Sequence, residues 1–145
     1  MAKLLRNSTR PVVSVPENMT VEDVVRTMVR HQIGAVVVLR DDEMAGIFSE
    51  RDVLDKIVLA KRDPATTPVF AVMTSPVVAA PGNTEDAEAA ETMTEHHIRH
   101  LPILNEERRV VGMVSLRHVM QERIEDLEHE VNALEAYLGY DGVSG

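Results

Sequence analysis

Gly46-Ile47-Phe48-Ser49-Glu50-Arg51-Asp52 returns 66 residues later as Gly112-Met113-Val114-Ser115-Leu116-Arg117-His118. Upstream the match continues at a shift of 65, with Pro11 to Leu39 lying over Pro76 to Leu104. Identities fall at Pro11/Pro76, Val12/Val77, Val13/Val78, Pro16/Pro81, Asn18/Asn83, Met28/Met93, His31/His96 and Ile33/Ile98. One extra loop residue accounts for the change of shift. Self-similarity of this length marks a repeat architecture. At 145 residues and 16.1 kDa the chain is one compact domain by length, so two half-size units must share one body.

Each unit reads as β-α-β-β-α, an α/β (α+β) plan. In the first, Val12 to Val15 is a short strand and Thr20 to Gln32 a helix, with Val21, Val24, Val25, Met28 and Val29 on one stripe. Thr20 and Asp23 form a capping pair at its start. The β-branched run Ile33 to Leu39 is a buried strand, Arg40 to Glu43 a turn, Met44 to Phe48 the return strand, and about Glu50 to Ala60 a second helix. The second unit repeats this with Ala87, Ala89, Ala90 and Met93 on its first helix, which predicts looser packing. The boundaries are then residues 1–60 for the first repeat with its lead-in, 61–68 for a linker containing Pro64 and Pro68, 69–124 for the second repeat, and 125–145 for a C-terminal helix with a frayed end at 141–145.

With 15 basic and 24 acidic residues the net charge is −9, which argues against nucleic-acid binding. The longest apolar run, Ile33 to Leu39, is too short to span a bilayer, and the basic segment Met1 to Arg10 lacks an apolar export core. The absence of cysteine excludes disulfides and fits a cytoplasmic protein. His96, His97 and His100 invite a metal reading. Against it stand Arg99 among them and the counterpart of His96 in His31, where imidazole suits a helix C-terminus. The eight methionines read as core filler.

Ser49 and Asp52 are accounted for by a helix capping box. That reading leaves Gly46 unexplained, and also Arg51, since the helix macrodipole favours acids in the first turn. A bound phosphate explains both, because backbone N–H groups at a helix start, a Ser hydroxyl and a guanidinium together make an anion cradle. Arg appears at this position in both copies, as Arg51 and Arg117, which capping does not require. That repetition points to a nucleotide.

The repeat plan with GIFSERD resembles the CBS (cystathionine β-synthase) domain, whose tandem pair forms the Bateman module, over about Arg10 to Ile124. The resemblance implies two pseudo-symmetric clefts for adenosyl ligands such as AMP, ADP, ATP or S-adenosylmethionine. Ser49 and Arg51 would meet phosphate and Asp52 the ribose, Gly34 and Ala35 would allow close approach, and Pro76, Val77 and Ile98 would wall the adenine. The second cleft would use Ser115, Arg117, His118, Arg99 and His100, with Val12 and Ile33 around the base. There the chain departs from the family pattern, since His118 replaces the acid. Losing charge-assisted bonds of about 1.5–3 kcal/mol each leaves one strong site and one weak one. Alternatively, His118, Arg117, Arg99 and His100 make the second cleft more cationic and suited to more phosphates.

Ile124, Leu127, Val131, Leu134 and Leu138 are spaced three, four, three, four, the pattern of a coiled-coil seam, flanked by Glu128, Glu130 and Glu135. The expectation is a homodimer made mainly by the bodies, with the tails extending it or gripping a basic protein partner. No catalytic constellation is legible, so the expected function is a non-enzymatic, regulatory adenine-nucleotide sensor needing no further cofactor. The competing reading is a constitutive interaction scaffold with vestigial clefts.

Overall fold

A computed structural model of the chain describes residues 10–139. The lead-in before Arg10 and the frayed end expected at 141–145 lie outside them. The first repeat contains β1 (Ser14–Pro16), α1 (Val21–His31), β2 (Ala35–Arg40), β3 (Glu43–Ser49) and α2 (Glu50–Asp52), which continues as a π-helical turn over Val53–Val58. A 3-10 turn, Val69–Ala71, leads to the second repeat: β4 (Ala80–Pro81), α3 (Asp86–Glu95), β5 (His100–Leu104), β6 (Val110–Ser115) and α4 (Leu116–Tyr137). Each repeat forms its own three-stranded sheet, ordered β1-β2-β3 and β4-β5-β6, with a parallel first pair and an antiparallel second.

The capping pair at α1 forms as expected, with Thr20 Oγ1 accepting from the Asp23 N–H at 3.2 Å. The helix ends where Gln32 adopts a left-handed conformation and its N–H bonds back to the last turn. Val21, Val24 and Met28 are buried against Val36, Val38 and Phe48, but Val29 is 71% exposed, so the apolar stripe stops one turn short of the expected one. In the second repeat Ala89, Ala90 and Met93 are buried with Leu101, Ile103 and Val114. Here Asp86, in place of Val21, is buried at the start of α3.

The expected helix from Glu50 to Ala60 is regular only at its start. Leu59 N–H bonds to Leu54 O at 3.0 Å, five residues back, and Lys61 at positive φ ends the turn, which Arg62 N–H closes on Ile57 O at 3.0 Å. The stretch that reads as a linker is docked against α1: Val21 N–H donates to Thr67 O at 2.8 Å and Glu22 N–H to Pro64 O at 3.0 Å. These bonds satisfy donors at the helix start that have no partner within the helix.

The two repeats are knitted by exchanged lead-ins. Thr74, entering the second repeat, pairs with Ile47 of β3 through N–H···O bonds of 2.8 and 3.0 Å. Arg10, entering the first, pairs with Met113 of β6 through bonds of 3.0 and 3.1 Å. Gly46 makes the first crossing possible. A Cβ there would lie 2.5 Å from Met73 Sδ and 3.0 Å from Thr74 O. Its role is this close backbone approach, which corrects the reading that needed a phosphate to explain it.

Candidate ligand cleft

Where β3 ends and α2 begins, a cavity of about 490 Å³ opens between the repeats. The first repeat contributes Gly34, Ile47, Ser49, Arg51 and Asp52 among others, and the second contributes Thr74 and the run His97, Ile98, Arg99 and His100. Arg51 and Arg99 are exposed, and Ile98 is partly buried.

Asp52 is 6% exposed, and both of its oxygens are engaged. Oδ2 accepts from the Ser49 N–H at 2.9 Å and the Ser49 hydroxyl at 3.3 Å. Oδ1 accepts from Thr74 Oγ1 at 3.0 Å and is paired with Lys56 Nζ at 3.0 Å. Lys56 also donates to Val72 O at 2.9 Å. The carboxylate therefore closes the capping box and ties α2 to the lead-in of the second repeat, using about its full acceptor capacity.

Gly34 matters for space. A Cβ there would lie 3.3 Å from His100 Nε2 and 3.4 Å from Glu50 Oε1. Burial pushes the His100 imidazole below its ordinary pKa, opposed by Glu50 and aided by Arg99. The neutral ring is thus favoured, presenting one donor and one acceptor.

The residues assigned from sequence to two clefts are distributed differently in the structure. Arg99 and His100, expected in the second cleft, line this one, because the segments entering β2 and β5 abut, bringing His100 against Gly34. Pro76 and Val77 are absent from its lining, although Thr74 just before them is present. Ala35 is buried at the start of β2, Ile33 packs on the first core, and Val12 is half-buried. Glu50, Leu54, Asp55 and His97 line the cavity without having been singled out for it. Their signal in the sequence was helical spacing from Arg51 and proximity to Ile98.

The corresponding start of α4 differs in chemistry. Ser115 Oγ accepts from the His118 N–H at 3.2 Å, giving half a capping box, and Arg117 is exposed. His118 Nδ1 faces Arg10 Nη2 at 3.1 Å. Because a guanidinium only donates, Nδ1 accepts in this geometry and the ring proton sits on Nε2. Glu122 Oε1 lies 3.2 Å from Nε2 but is not aligned as a hydrogen bond.

This architecture defines a class: two β-α-β-β-α units with exchanged lead-ins and a cleft between them. The CBS domain family profile matches residues 5–59 and 69–125, and the chain belongs to that family as a tandem pair. Such pairs are regulatory modules that bind nucleotides and other adenosyl ligands. The chain is 34% identical over 124 residues to the mitochondrial CBS domain-containing protein CBSX3 of Arabidopsis thaliana, covering 82% of this chain and 60% of that protein. It therefore spans less than two-thirds of that relative's length. The CBS-domain containing protein ATU1752 of Agrobacterium tumefaciens superposes with a TM-score of 0.74 at 32% identity, over 82% of this chain and 94% of that one. The cytosolic domain of the Mg2+ channel MgtE, solved in complex with ATP, superposes with a TM-score of 0.68 at 30% identity, over 81% of this chain and 48% of that one. Among the described residues, no helix is long and apolar enough to cross a membrane.

Proposed function

We propose that the chain is a non-enzymatic sensor that holds an adenine nucleotide, of the AMP, ADP or ATP type, in the cavity at the start of α2. The observation that carries this reading is the cavity itself. At about 490 Å³ it falls within the size range of small-molecule sites, it draws on both repeats, and it combines Arg51, Arg99 and His100 with the apolar Ile47, Leu54 and Ile98. Phosphates lie toward the two guanidiniums, the base against Ile98, and the ribose hydroxyls at Asp52. The similarity to MgtE, whose cytosolic domain was solved with ATP, supports the ligand class. S-adenosylmethionine is the adenosyl alternative that lacks phosphate.

Ribose reaches Asp52 Oδ1 by displacing Thr74 Oγ1 and Lys56 Nζ, which now occupy it. Ligand thereby loosens the tie between α2 and the segment entering the second repeat. That exchange converts occupancy into a change at the junction of the repeats. The protein works as a homodimer through its bodies, where Leu54, Val58 and Leu59 are 59%, 61% and 75% exposed.

One observation favours the scaffold reading: both oxygens of Asp52 are committed to Ser49, Thr74 and Lys56 of the chain itself. Thermal denaturation of nucleotide-stripped protein with AMP, ADP, ATP and S-adenosylmethionine separates the two. A ligand at 100 times its dissociation constant adds about 2.7 kcal/mol and raises Tm by several degrees. No shift with any of the four leaves the scaffold.

A further inference from the structure

The outer part of α4 carries an apolar seam that none of the described residues covers. Every residue from Leu127 to Gly139 is exposed. On that stretch and just before it, Met120, Ile124, Leu127, Val131, Leu134 and Leu138 are 44–58% exposed and spaced four, three, four, three, four. A lone helix of about this length is marginal in water, because too few turns follow its costly nucleus.

We propose that this seam forms a parallel two-stranded coiled coil with a second copy of the chain. The seam residues themselves specify that partner. With Ile124, Val131 and Leu138 at the a positions and Met120, Leu127 and Leu134 at d, two of the three a positions are β-branched and two of the three d positions are Leu, the arrangement that favours two parallel strands. In that register Arg123 of one chain meets Glu128 of the other, an attractive pair repeated by symmetry, while Glu130 meets Glu135 and repels. The flanking charge is therefore close to balanced, and the apolar seam decides. Six half-exposed side chains offer on the order of 400–600 Å² per chain. A stable interface buries about 800 Å² per partner. The seam therefore extends a contact between bodies, and the exposed Leu54 and Val58 occupy in the first repeat the places of Met120 and Ile124.

The chain has no cysteine, so single thiols can report the geometry without background. Leu134→Cys and Ala133→Cys are compared by crosslinking with a short bismaleimide in dilute full-length protein, alongside sedimentation equilibrium of the wild type, Leu134→Asp and Glu130→Lys. The expected result is a wild-type dimer, with crosslinking at Leu134→Cys at least tenfold faster than at Ala133→Cys. Dimer affinity should fall tenfold or more in Leu134→Asp and rise several-fold in Glu130→Lys. A dimer of unchanged affinity in Leu134→Asp, with no crosslink at Leu134→Cys, overturns the seam while leaving the contact between bodies intact. A monomer whose α4 signals change only when a Lys-rich amphipathic heptad peptide is added overturns it in favour of a cationic partner.

Discussion

The same crossing is locked twice with different chemistry. At the first, an aspartate at the helix start binds Thr74 of the incoming segment and pairs with Lys56 one turn on. At the second, a histidine in the equivalent place is bonded to Arg10 of the incoming segment and lies beside Glu122 one turn on. The incoming segment donates at both crossings, but the anionic acceptor becomes an imidazole and the residue one turn on changes from a cation to an acid. The junction is kept in both repeats while its chemistry differs, and only the first places a carboxylate, Asp52, at the helix start.

The cores differ as well, and the largest expected effect tests that difference. Phe48 is fully buried in the first repeat and Val114 occupies its place in the second. Phe48→Ala should cost about 3–5 kcal/mol in urea denaturation. Val114→Ala should cost about 2 kcal/mol or less, from fewer buried methyl groups. Equal losses would break the contrast. Next, Gly46→Ala should cost about 1–3 kcal/mol, because a Cβ must push Met73 and the Thr74 carbonyl off β3. Amide exchange at Ile47 and Thr74 should speed up in that variant while Met113 stays protected.

Lys56→Met sharpens the comparison through a sign. The side chain is 39% exposed, so screening limits the stability loss to roughly 1 kcal/mol or less. With its competitor removed from Asp52, the nucleotide should bind several-fold tighter by calorimetric titration. Weaker binding would mean that Lys56 serves the ligand instead. The smallest effect concerns His100, whose pKa is lowered by burial in the folded state. The unfolded chain therefore takes up the proton first, and stability should fall as pH drops below about 6.5. His100→Gln should flatten that decline between pH 7 and 5.5, leaving the behaviour at pH 8 unchanged.

Much of this was legible from the repeat. Strand pairing within each unit, the Thr20 cap and the valine face of α1 follow from local pattern, because period and capping are read from neighbours in the chain. The exchange of lead-ins was not legible, since Thr74 and Ile47 meet only through tertiary structure. That contact explains Gly46, which local chemistry had assigned to phosphate. Repeat logic also separated Arg99 and His100 from Gly34 by giving each unit its own cleft, whereas the segments entering β2 and β5 abut. The π-helical turn was hidden because its Val-Leu-Asp-Lys-Ile-Val sequence reads as ordinary helix.

The inequality of the two locks is tested most directly by calorimetric titration of nucleotide-stripped protein with ATP, using wild type, Asp52→Ala and His118→Ala. The expected result is about one ligand per chain in the wild type, affinity reduced at least tenfold in Asp52→Ala, and His118→Ala close to wild type. Two equal sites per chain, or tight binding that survives Asp52→Ala and fails in His118→Ala, would contradict the account.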